Sequence, residues 1–272
     1  MTGTDSTDST TASPAATTGG TGPQRQAFGV DVGGSGIKGG IVDLETGTLV
    51  GERYKLPTPS PATPAAVAET VAAVVRHFGW TGPLGVTYPG VVVDGVVRTA
   101  ANVDKSWIGV NAQAAVAAAL DGQPVVILND ADAAGLAEER FGAGKDNTGV
   151  VVLLTFGTGI GSAVIHNGKL LPNTELGHID VDGKEAEHRA AASVKERKNW
   201  SMKKWSKQVT KVLVAIENAL CPDLIIVGGG ISRKADQWVP LLGNRTPVVA
   251  ATLQNSAGIV GAAMASATDV TR

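Results

Sequence analysis

The chain has 272 residues, enough for one large core or two smaller ones, and this length favours two. Its hydrophobic content of 43% and formal net charge of −2 indicate a globular protein without a general attraction to nucleic acid or to membrane surfaces. The single cysteine, Cys221, excludes an internal disulfide and a cysteine-based zinc cluster. We therefore expect a cytoplasmic protein that binds neither nucleic acid nor a membrane.

Residues 1–25 are mostly Thr, Ser, Gly, Ala, Pro and Asp, so we expect a disordered tail that serves as a spacer. This tail contains no apolar segment of the kind found in secretory signals. No later stretch approaches the ~20 apolar residues of a membrane span.

From Phe28 onward, short apolar segments alternate with turn residues, and Gly33, Gly34, Gly36 and Gly47 mark the first two turns. This pattern predicts a three-stranded meander. The elements predicted in this half are strands 28–32, 37–43, 48–55, 84–87 and 124–128, helices 64–78 and 111–120, a hairpin around Asp94-Gly95, and a helix from Asp130 through Arg140.

The second half repeats the order of strand, glycine turn and strand. Its predicted elements are strands 149–155, 161–166 and 223–227 and an alanine-rich helix at 256–267. The repetition predicts an α/β protein of two similar lobes, 26–131 and 132–255, with a cleft between them.

Two glycine-rich segments, 31–36 (DVGGSG) and 157–162 (GTGIGS), each leave an apolar strand. Glycine lets backbone N–H groups approach a phosphate, and loops on two lobes could grip a phosphate chain from both sides. Neither segment is a Walker A or Rossmann motif. One such loop could equally be a tight hairpin turn, but two, each with a hydroxyl residue (Ser35 and Thr158), favour a phosphotransferase.

Two aspartates follow predicted strands near these loops. Asp31 could hold Mg²⁺ against phosphates, or it could cap a turn. Asp130 follows an apolar buried strand, where a charge is costly unless it has a partner or a function. We interpret Asp130 as a base that accepts a proton while the new P–O bond forms. The alternative is that Asp130 caps the following helix, although Asp132 is the less ambiguous candidate for that role.

Glu175 and His178 are three residues apart, so they share a face on a helical turn, and Glu187 follows. A carboxylate and an imidazole together suit neighbouring hydroxyl groups. The spacing also resembles half a metal site, although no cysteine is near. The other histidines are interpreted as structural: His77, His166 and His188.

A basic segment at 195–211 contrasts with the slightly acidic chain. On a helix, Lys204, Lys207 and Lys211 form one stripe with Lys203 beside it, and apolar residues fall opposite. The apolar residues are Trp205, Val209, Val212 and Ile216. A solvated basic face and a site for a polyanion explain this spacing equally well.

These residues resemble the sugar-kinase branch of the ROK family, which has the actin/hexokinase-like ATPase (ribonuclease H-like) fold. Within it, the resemblance is to polyphosphate/ATP glucokinases and glucomannokinases, and it extends from Phe28 to Ala267. The matching stretches are GVDVGGSGIKGG (29–40), TAANVDKSW (99–107), LNDADAAGLAE (128–138), TFGTGIGSA (155–163), PNTELGH (172–178) and AGIVGAA (257–263).

The resemblance implies transfer of phosphate from polyphosphate or ATP to the 6-hydroxyl of glucose, and also of mannose, with Mg²⁺ at Asp31 and Asp130 as the base. It implies that helix 256–272 joins the first lobe. The implied sugar-binding residues are Asn102, Asn129, Asp130, Glu175, His178 and Glu187. The implied phosphate- and nucleotide-binding residues are Asp31, Gly33, Gly34, Ser35, Gly36, Lys38, Thr155, Gly157, Thr158, Gly159, Gly228, Gly229 and Gly230.

The segment 179–186 departs from the family pattern because it lacks the cysteines of a zinc motif. We therefore expect no zinc and predict that other contacts hold this loop. Relatives that use polyphosphate share the departure. Four basic residues then become candidate contacts for a polyphosphate chain: Lys198, Lys203, Lys204 and Lys207.

Three alternatives remain open at this stage. They are an ATP-only glucokinase, a sugar-sensing regulator of the same family, and an actin-like filament protein. A regulator would need a helix-turn-helix before the first strand, where the sequence has the low-complexity tail. The sequence also leaves open which sugar and which donor are preferred. It does not decide whether the two donors share a single site or whether the protein is a homodimer.

Overall fold

The computed structural model describes residues 25–100 and 103–267. Three predicted features lie outside the described residues: the tail before Arg25, the sugar-binding residue Asn102, and the last five residues of the helix 256–272. The strands are β1 (Gln26–Val32), β2 (Ile37–Asp43), β3 (Thr48–Leu56), β4 (Leu84–Tyr88), β5 (Val92–Val93), β6 (Val96–Val97), β7 (Val125–Asn129), β8 (Val150–Phe156), β9 (Ile160–His166), β10 (Lys169–Leu171), β11 (Leu224–Gly228) and β12 (Val248–Ala250). The α-helices are α1 (Pro64–His77), α2 (Ala112–Ala119), α3 (Asp130–Phe141), α4 (Ala186–Ala190), α5 (Ala192–Arg197), α6 (Met202–Leu220) and α7 (Ala257–Ala267). None of the described helices is both long enough and apolar enough to cross a membrane.

The described strands form two five-stranded sheets with the same topology and a small hairpin of β5 and β6. The first sheet has the order β3-β2-β1-β4-β7, and the second has the order β10-β9-β8-β11-β12. In each sheet the first three strands in chain order are an antiparallel meander, and the other two continue parallel to the first strand. Neither sheet closes on itself. The prediction of an α/β fold with two similar lobes is confirmed.

Helices α3 and α7 connect the two sheets. Helix α7 packs on β1 and β4 of the first sheet, α3 packs on β8 and β9 of the second, and the two helices pack on each other. Glycines make this close packing possible: a Cβ atom at Gly29 or Gly85 would overlap the backbone of α7, and one at Gly261 would overlap the backbone of α3. The junction that carries Asp130 is therefore rigidly held from both sides.

The predicted amphipathic helix is present as α6. Trp205 and Val209 on its apolar face are fully buried, whereas Lys203, Lys204 and Lys207 on the opposite face are exposed. The Trp205 ring packs edge-on against Trp238 with centroids 4.8 Å apart, and its Nε1 donates to the carbonyl of Ala190 at 2.8 Å. This packing fixes α4 against α6 and so supports the site residues on α4.

Candidate active site

Asp130 is the first residue of α3 and directly follows β7. The cap of this helix is Asn129, whose Oδ1 accepts the N–H groups of Ala131 and Asp132 at 2.8 and 3.0 Å. The Nδ2 of Asn129 also donates to the carbonyl of Gly90 at 3.1 Å. The cap is therefore Asn129, and neither Asp130 nor Asp132, the two candidates that the sequence offered for this role. The Asp130 carboxyl additionally accepts the N–H of Ala131 at 2.8 Å.

Burial raises the pKa of Asp130 to about 7, and the negative charges of Asp31 and Glu175 add to this shift. Asp31 comes from the first sheet and Glu175 from the segment after β10, so carboxylates from both lobes converge on Asp130. A proton acceptor is most effective when its pKa lies near the working pH. Asp130 therefore has the position and the pKa of a general base.

The Asp31 carboxylate lies beside the first glycine loop. Its Oδ2 is 2.9 Å from the Nζ of Lys38, and its Oδ1 accepts the hydroxyl of buried Thr87 at 3.0 Å. The same Thr87 oxygen accepts the N–H of Val32 at 3.0 Å, which fixes the carboxylate relative to β1. Each carboxylate oxygen keeps a lone pair, and carboxylates are ligands that Mg²⁺ prefers, directly or through its waters. Asp31 therefore fits the role of an Mg²⁺ ligand.

The first glycine loop is tied at its base and open at its tip. The N–H of Gly33 donates to the carbonyl of Gly36 at 3.1 Å, and the Thr58 hydroxyl donates to the carbonyl of Gly33 at 2.5 Å. Gly34 and Ser35 lie exposed at the tip, and nothing is within 4 Å of a Cβ atom placed on Gly34. The tip therefore has room for a phosphate group.

The second glycine loop joins β8 to β9, and α5 holds it. Gly157 donates its N–H to the carbonyl of Gly159 at 3.0 Å. Ser193 donates its N–H to the carbonyl of Gly157 at 3.1 Å and its hydroxyl to the carbonyl of Thr158 at 2.6 Å. Next to the loop, the Glu187 carboxylate accepts the N–H of Ile160 at 3.4 Å. The second loop and Glu187 are therefore neighbours.

The third glycine group, Gly228 to Gly230, ends β11 beside β8, where Gly228 pairs with Thr155. Gly229 has a φ of 82° and lies against the backbone of Phe156, so a side chain there would be strained and blocked. These glycines, with Thr155, Arg233 and Gln254, line a cavity of about 120 Å³ between α3, β11 and the start of α7.

The predicted sugar-binding residues Glu175, His178 and Glu187 lie in one cluster. The Nε2 of His178 is 3.7 Å from Glu175, and its Nδ1 is 3.3 Å from Glu185, a residue that the sequence reasoning missed. Burial raises the pKa of Glu175, His178 opposes this shift, and the charge of Glu187 adds to it. His188 contacts Glu185 and Glu187 at 3.4 and 3.8 Å. The cluster presents several acceptors for sugar hydroxyl groups.

Ligand atoms of His178, Glu185 and Glu187 lie within 4.8 Å of one another, a spacing that could hold a cation. The same side chains serve equally well as hydroxyl acceptors, so this spacing alone does not indicate a resident metal.

Hydrogen bonds from Arg189 hold the loop that has no cysteines. Its Nη2 donates to the carbonyl of Val181 at 2.6 Å and its Nη1 donates to the side chain of Gln208 at 3.1 Å. Lys211 forms an ion pair of 2.6 Å with Asp182 at the tip of the same loop. The prediction that other contacts hold this loop is confirmed, and Arg189 links it to α6.

Asn173 joins the two lobes beside the site, and no sequence pattern predicts this role. Its side-chain Oδ1 accepts the N–H of Val92 at 3.0 Å, and its Nδ2 donates to the carbonyl of Val92 at 2.9 Å. The N–H of Asn173 donates to the buried carboxyl of Asp132 at 2.7 Å. Because Asn173 precedes Glu175 by two residues, this network positions the Glu175 segment against the first lobe.

Two of the four basic residues flank Trp200, which lies between α5 and α6. The Nζ atoms of Lys198 and Lys204 lie 4.7 and 5.3 Å from the centre of its ring. Lys203 and Lys207 are exposed on the same helix as Lys204. We call Lys198, Lys203, Lys204 and Lys207 the Trp200 lysine cluster.

The chain is similar to a family of known proteins and to two curated relatives. The profile of the ROK family matches residues 27–193. A polyphosphate glucokinase of Mycobacterium leprae (strain TN) is 70% identical over 272 residues, which cover 100% of this chain and 84% of that protein. A polyphosphate glucokinase of Mycobacterium tuberculosis (strain ATCC 25618 / H37Rv) is 72% identical over 96% of this chain and 97% of that protein.

Two solved structures are similar to the chain in three dimensions. The inorganic polyphosphate/ATP-glucomannokinase of Arthrobacter sp. strain KM has 51% identity and a TM-score of 0.85, over 90% of this chain and 99% of that one. A ROK family glucokinase of Streptomyces griseus, solved with glucose and AMPPNP, has 26% identity and a TM-score of 0.75, over 89% of this chain and 99% of that one.

Proposed function

The chain belongs to the ROK family, and from this premise we infer that it is a kinase that phosphorylates glucose with inorganic polyphosphate or ATP as the donor. The observation that carries this function is the convergence of Asp31, Asp130 and Glu175 from both lobes on one cleft flanked by glycine loops. An actin-like filament would need no sugar-binding cluster of this kind. A transcriptional regulator with this fold is only 18% identical to the chain, a level at which the likeness concerns the fold alone.

Asp130 acts as the general base in the proposed mechanism. The 6-hydroxyl oxygen attacks the terminal phosphorus, the bond from phosphorus to the bridging oxygen breaks, and that oxygen keeps the electron pair. The hydroxyl proton passes to the Asp130 carboxylate as the new bond forms, because a sugar hydroxyl is too weak an acid to ionise beforehand. The pKa of about 7 supports this role, since part of the population is ionised at neutral pH.

Glu175, His178 and Glu187 bind the other sugar hydroxyl groups and fix the attacking oxygen. Asn129 contributes less than its position in the motif implies, because its Oδ1 already accepts two N–H groups and its Nδ2 donates to Gly90. One amide hydrogen of Asn129 remains for a sugar. Asn102 is proposed as a further contact on the resemblance alone. The same hydroxyl acceptors would serve mannose.

The donor lies across the two glycine loops, with Gly228 to Gly230 beside the adenosine when the donor is ATP. Mg²⁺ held by Asp31 would neutralise charge on the donor phosphates. Lys38 forms an ion pair of 2.9 Å with Asp31 and so orients this carboxylate at the loop. Polyphosphate and ATP share the loops in this proposal, so each donor should inhibit the use of the other competitively.

The Trp200 lysine cluster extends the donor site for polyphosphate. Ser193 at the start of α5 contacts the second glycine loop, and Lys198 at the end of the same helix begins the cluster. Five residues of helix span about 7.5 Å, so a phosphate chain that leaves the second glycine loop along α5 would reach Lys198. A variant with Lys203, Lys204 and Lys207 reversed in charge should lose polyphosphate affinity and keep ATP affinity.

The deciding experiment measures glucose 6-phosphate formation with Mg²⁺ and either donor, in the wild type, in Asp130→Asn and in the control Asp94→Asn, an exposed site in a hairpin turn. We expect turnover with polyphosphate and with ATP, a loss of more than about a hundredfold in Asp130→Asn, and no loss in the control. Turnover with ATP alone would restrict the function to an ordinary glucokinase. Full activity of Asp130→Asn would exclude Asp130 as the base.

A further inference from the structure

The strand register of the first sheet places three charged residues in a row at the first glycine loop. Asp31 of β1 pairs with Lys38 of β2, and Lys38 pairs with Lys55 of β3. Residues directly opposite each other on antiparallel strands point to the same face of the sheet. Lys55 therefore lies on the face that carries the Asp31 carboxylate, opposite Lys38 in the strand register.

Lys55 also reaches over the loop itself. A Cβ atom placed on Gly36 would overlap the side-chain stem of Lys55 and would lie 3.1 Å from its Nζ. The absence of a side chain at Gly36 is what admits Lys55 to this position. Thr58, three residues further along, donates a hydrogen bond to the carbonyl of Gly33, so the segment that follows β3 is tied to the loop.

The charge of Lys55 is uncompensated, in contrast to that of Lys38. Lys38 forms an ion pair with Asp31, whereas Lys55 is exposed and has no ion-pair partner among the residues that the structure describes. A free ammonium beside Gly36, at the base of a loop whose tip is exposed, favours an anion at this point.

We propose that Lys55 binds the phosphoryl chain of the donor at the first glycine loop, at a position that polyphosphate and ATP have in common. This inference rests on the proposed function and adds a donor-binding residue to it. Lys55 lies on the first sheet, whereas the Trp200 lysine cluster belongs to the second lobe. The two basic features therefore predict different results. Loss of Lys55 weakens the binding of both donors, whereas loss of the Trp200 lysine cluster weakens the binding of polyphosphate alone.

The test uses Lys55→Met, which keeps the length of the stem, with Lys55→Arg as the rescue variant. The matched control is Arg53→Met, which removes an exposed positive charge two residues earlier on β3. The KM values for polyphosphate, ATP and glucose are measured across a range of salt concentrations, together with the melting temperature. A contact between an ammonium and a phosphate predicts a roughly tenfold or larger rise in both donor KM values in Lys55→Met.

The glucose KM and the melting temperature of Lys55→Met should stay at the wild-type values, and Lys55→Arg should restore the donor KM values. The donor KM of the wild type should rise with salt more steeply than that of Lys55→Met, because one screened attraction has been removed. Unchanged donor KM values in Lys55→Met, or an equal rise in Arg53→Met, would overturn the proposal. If the wild type forms no glucose 6-phosphate, the proposed function fails instead, and calorimetric titration of wild type and Lys55→Met with tripolyphosphate still decides whether Lys55 binds phosphate.

Discussion

Asp132→Asn should make the protein more stable at alkaline pH, although it replaces a residue next to the proposed base. Asp132 is 1% exposed, its Oδ2 accepts the N–H of Asn173, and its Oδ1 has no hydrogen-bond partner among the described residues. Burial raises the pKa of Asp132 to about 7, opposed by the bond from Asn173 and reinforced by the charges of Glu175 and Asp130. The folded state therefore holds this proton more tightly than the unfolded chain does.

The sign and size of the effect follow from the two pKa values. An unfolded Asp has a pKa of about 3.9, so raising the pH from 3.9 to 7 removes a proton from the unfolded state first, and the folded protein loses stability. At about 1.36 kcal/mol per pKa unit, the ionisable Asp132 costs about 4 kcal/mol at pH 8 and about 1–2 kcal/mol at pH 5. The neutral side-chain amide of the Asp132→Asn variant avoids this cost of ionisation. However, the amide group that replaces Oδ1 has no hydrogen-bond partner, which destabilises the folded state by about 1–3 kcal/mol.

The stability of Asp132→Asn relative to wild type should therefore increase by about 2–3 kcal/mol between pH 5 and pH 8, with a net gain of about 1–3 kcal/mol at pH 8. Urea unfolding of both proteins at the two pH values measures this difference. The control is Asp94→Asn, which makes the same chemical change at an exposed position in a hairpin turn. A difference between Asp132→Asn and wild type that is the same at pH 5 and pH 8 would refute the reasoning.

Three further predictions concern the base, the helix crossing and the loop without cysteines. Since Asp130 must be ionised, kcat/KM for glucose should fall about tenfold per pH unit below pH 7; a flat profile from pH 5.5 to 8 would contradict this. Gly85→Ala should cost about 3 kcal/mol in urea unfolding, because its methyl group would overlap the carbonyl of Ala262, whereas Gly34→Ala, in open space, should cost far less. Arg189→Ala should raise the glucose KM about tenfold by releasing the loop. Lys211→Ala, which removes an exposed ion pair, should have a much smaller effect on the glucose KM. Equal effects of the two variants would show that Arg189 does not hold the loop.

Local patterns in the sequence determined much of the fold and of the candidate site. Alternating apolar segments with glycine turns predicted the first meander and the first two strands of the second, and helical spacing predicted α1 and α6, because each signal arises within a few neighbouring residues. The glycine loops and Asp130 were recognisable for the same reason: a phosphate loop needs several glycines in a row, and a charge at the end of an apolar strand is unusual. Short elements were missed, as in β10 and β12, because three residues carry too little periodicity to be detected.

Tertiary structure alone decided what joins residues that are far apart in the chain. The contact of Asn173 with Val92 spans 81 positions, and nothing in either segment signals it. By residue type, Asn129, Asp130 and Asp132 could each cap α3. Only the backbone geometry assigned the cap to Asn129. Lys55 looked like one more exposed strand residue until the register placed it beside Lys38 and over Gly36. A sequence specifies which groups are available, but register, burial and approach between lobes fix which of them meet, because these depend on the packing of the whole chain.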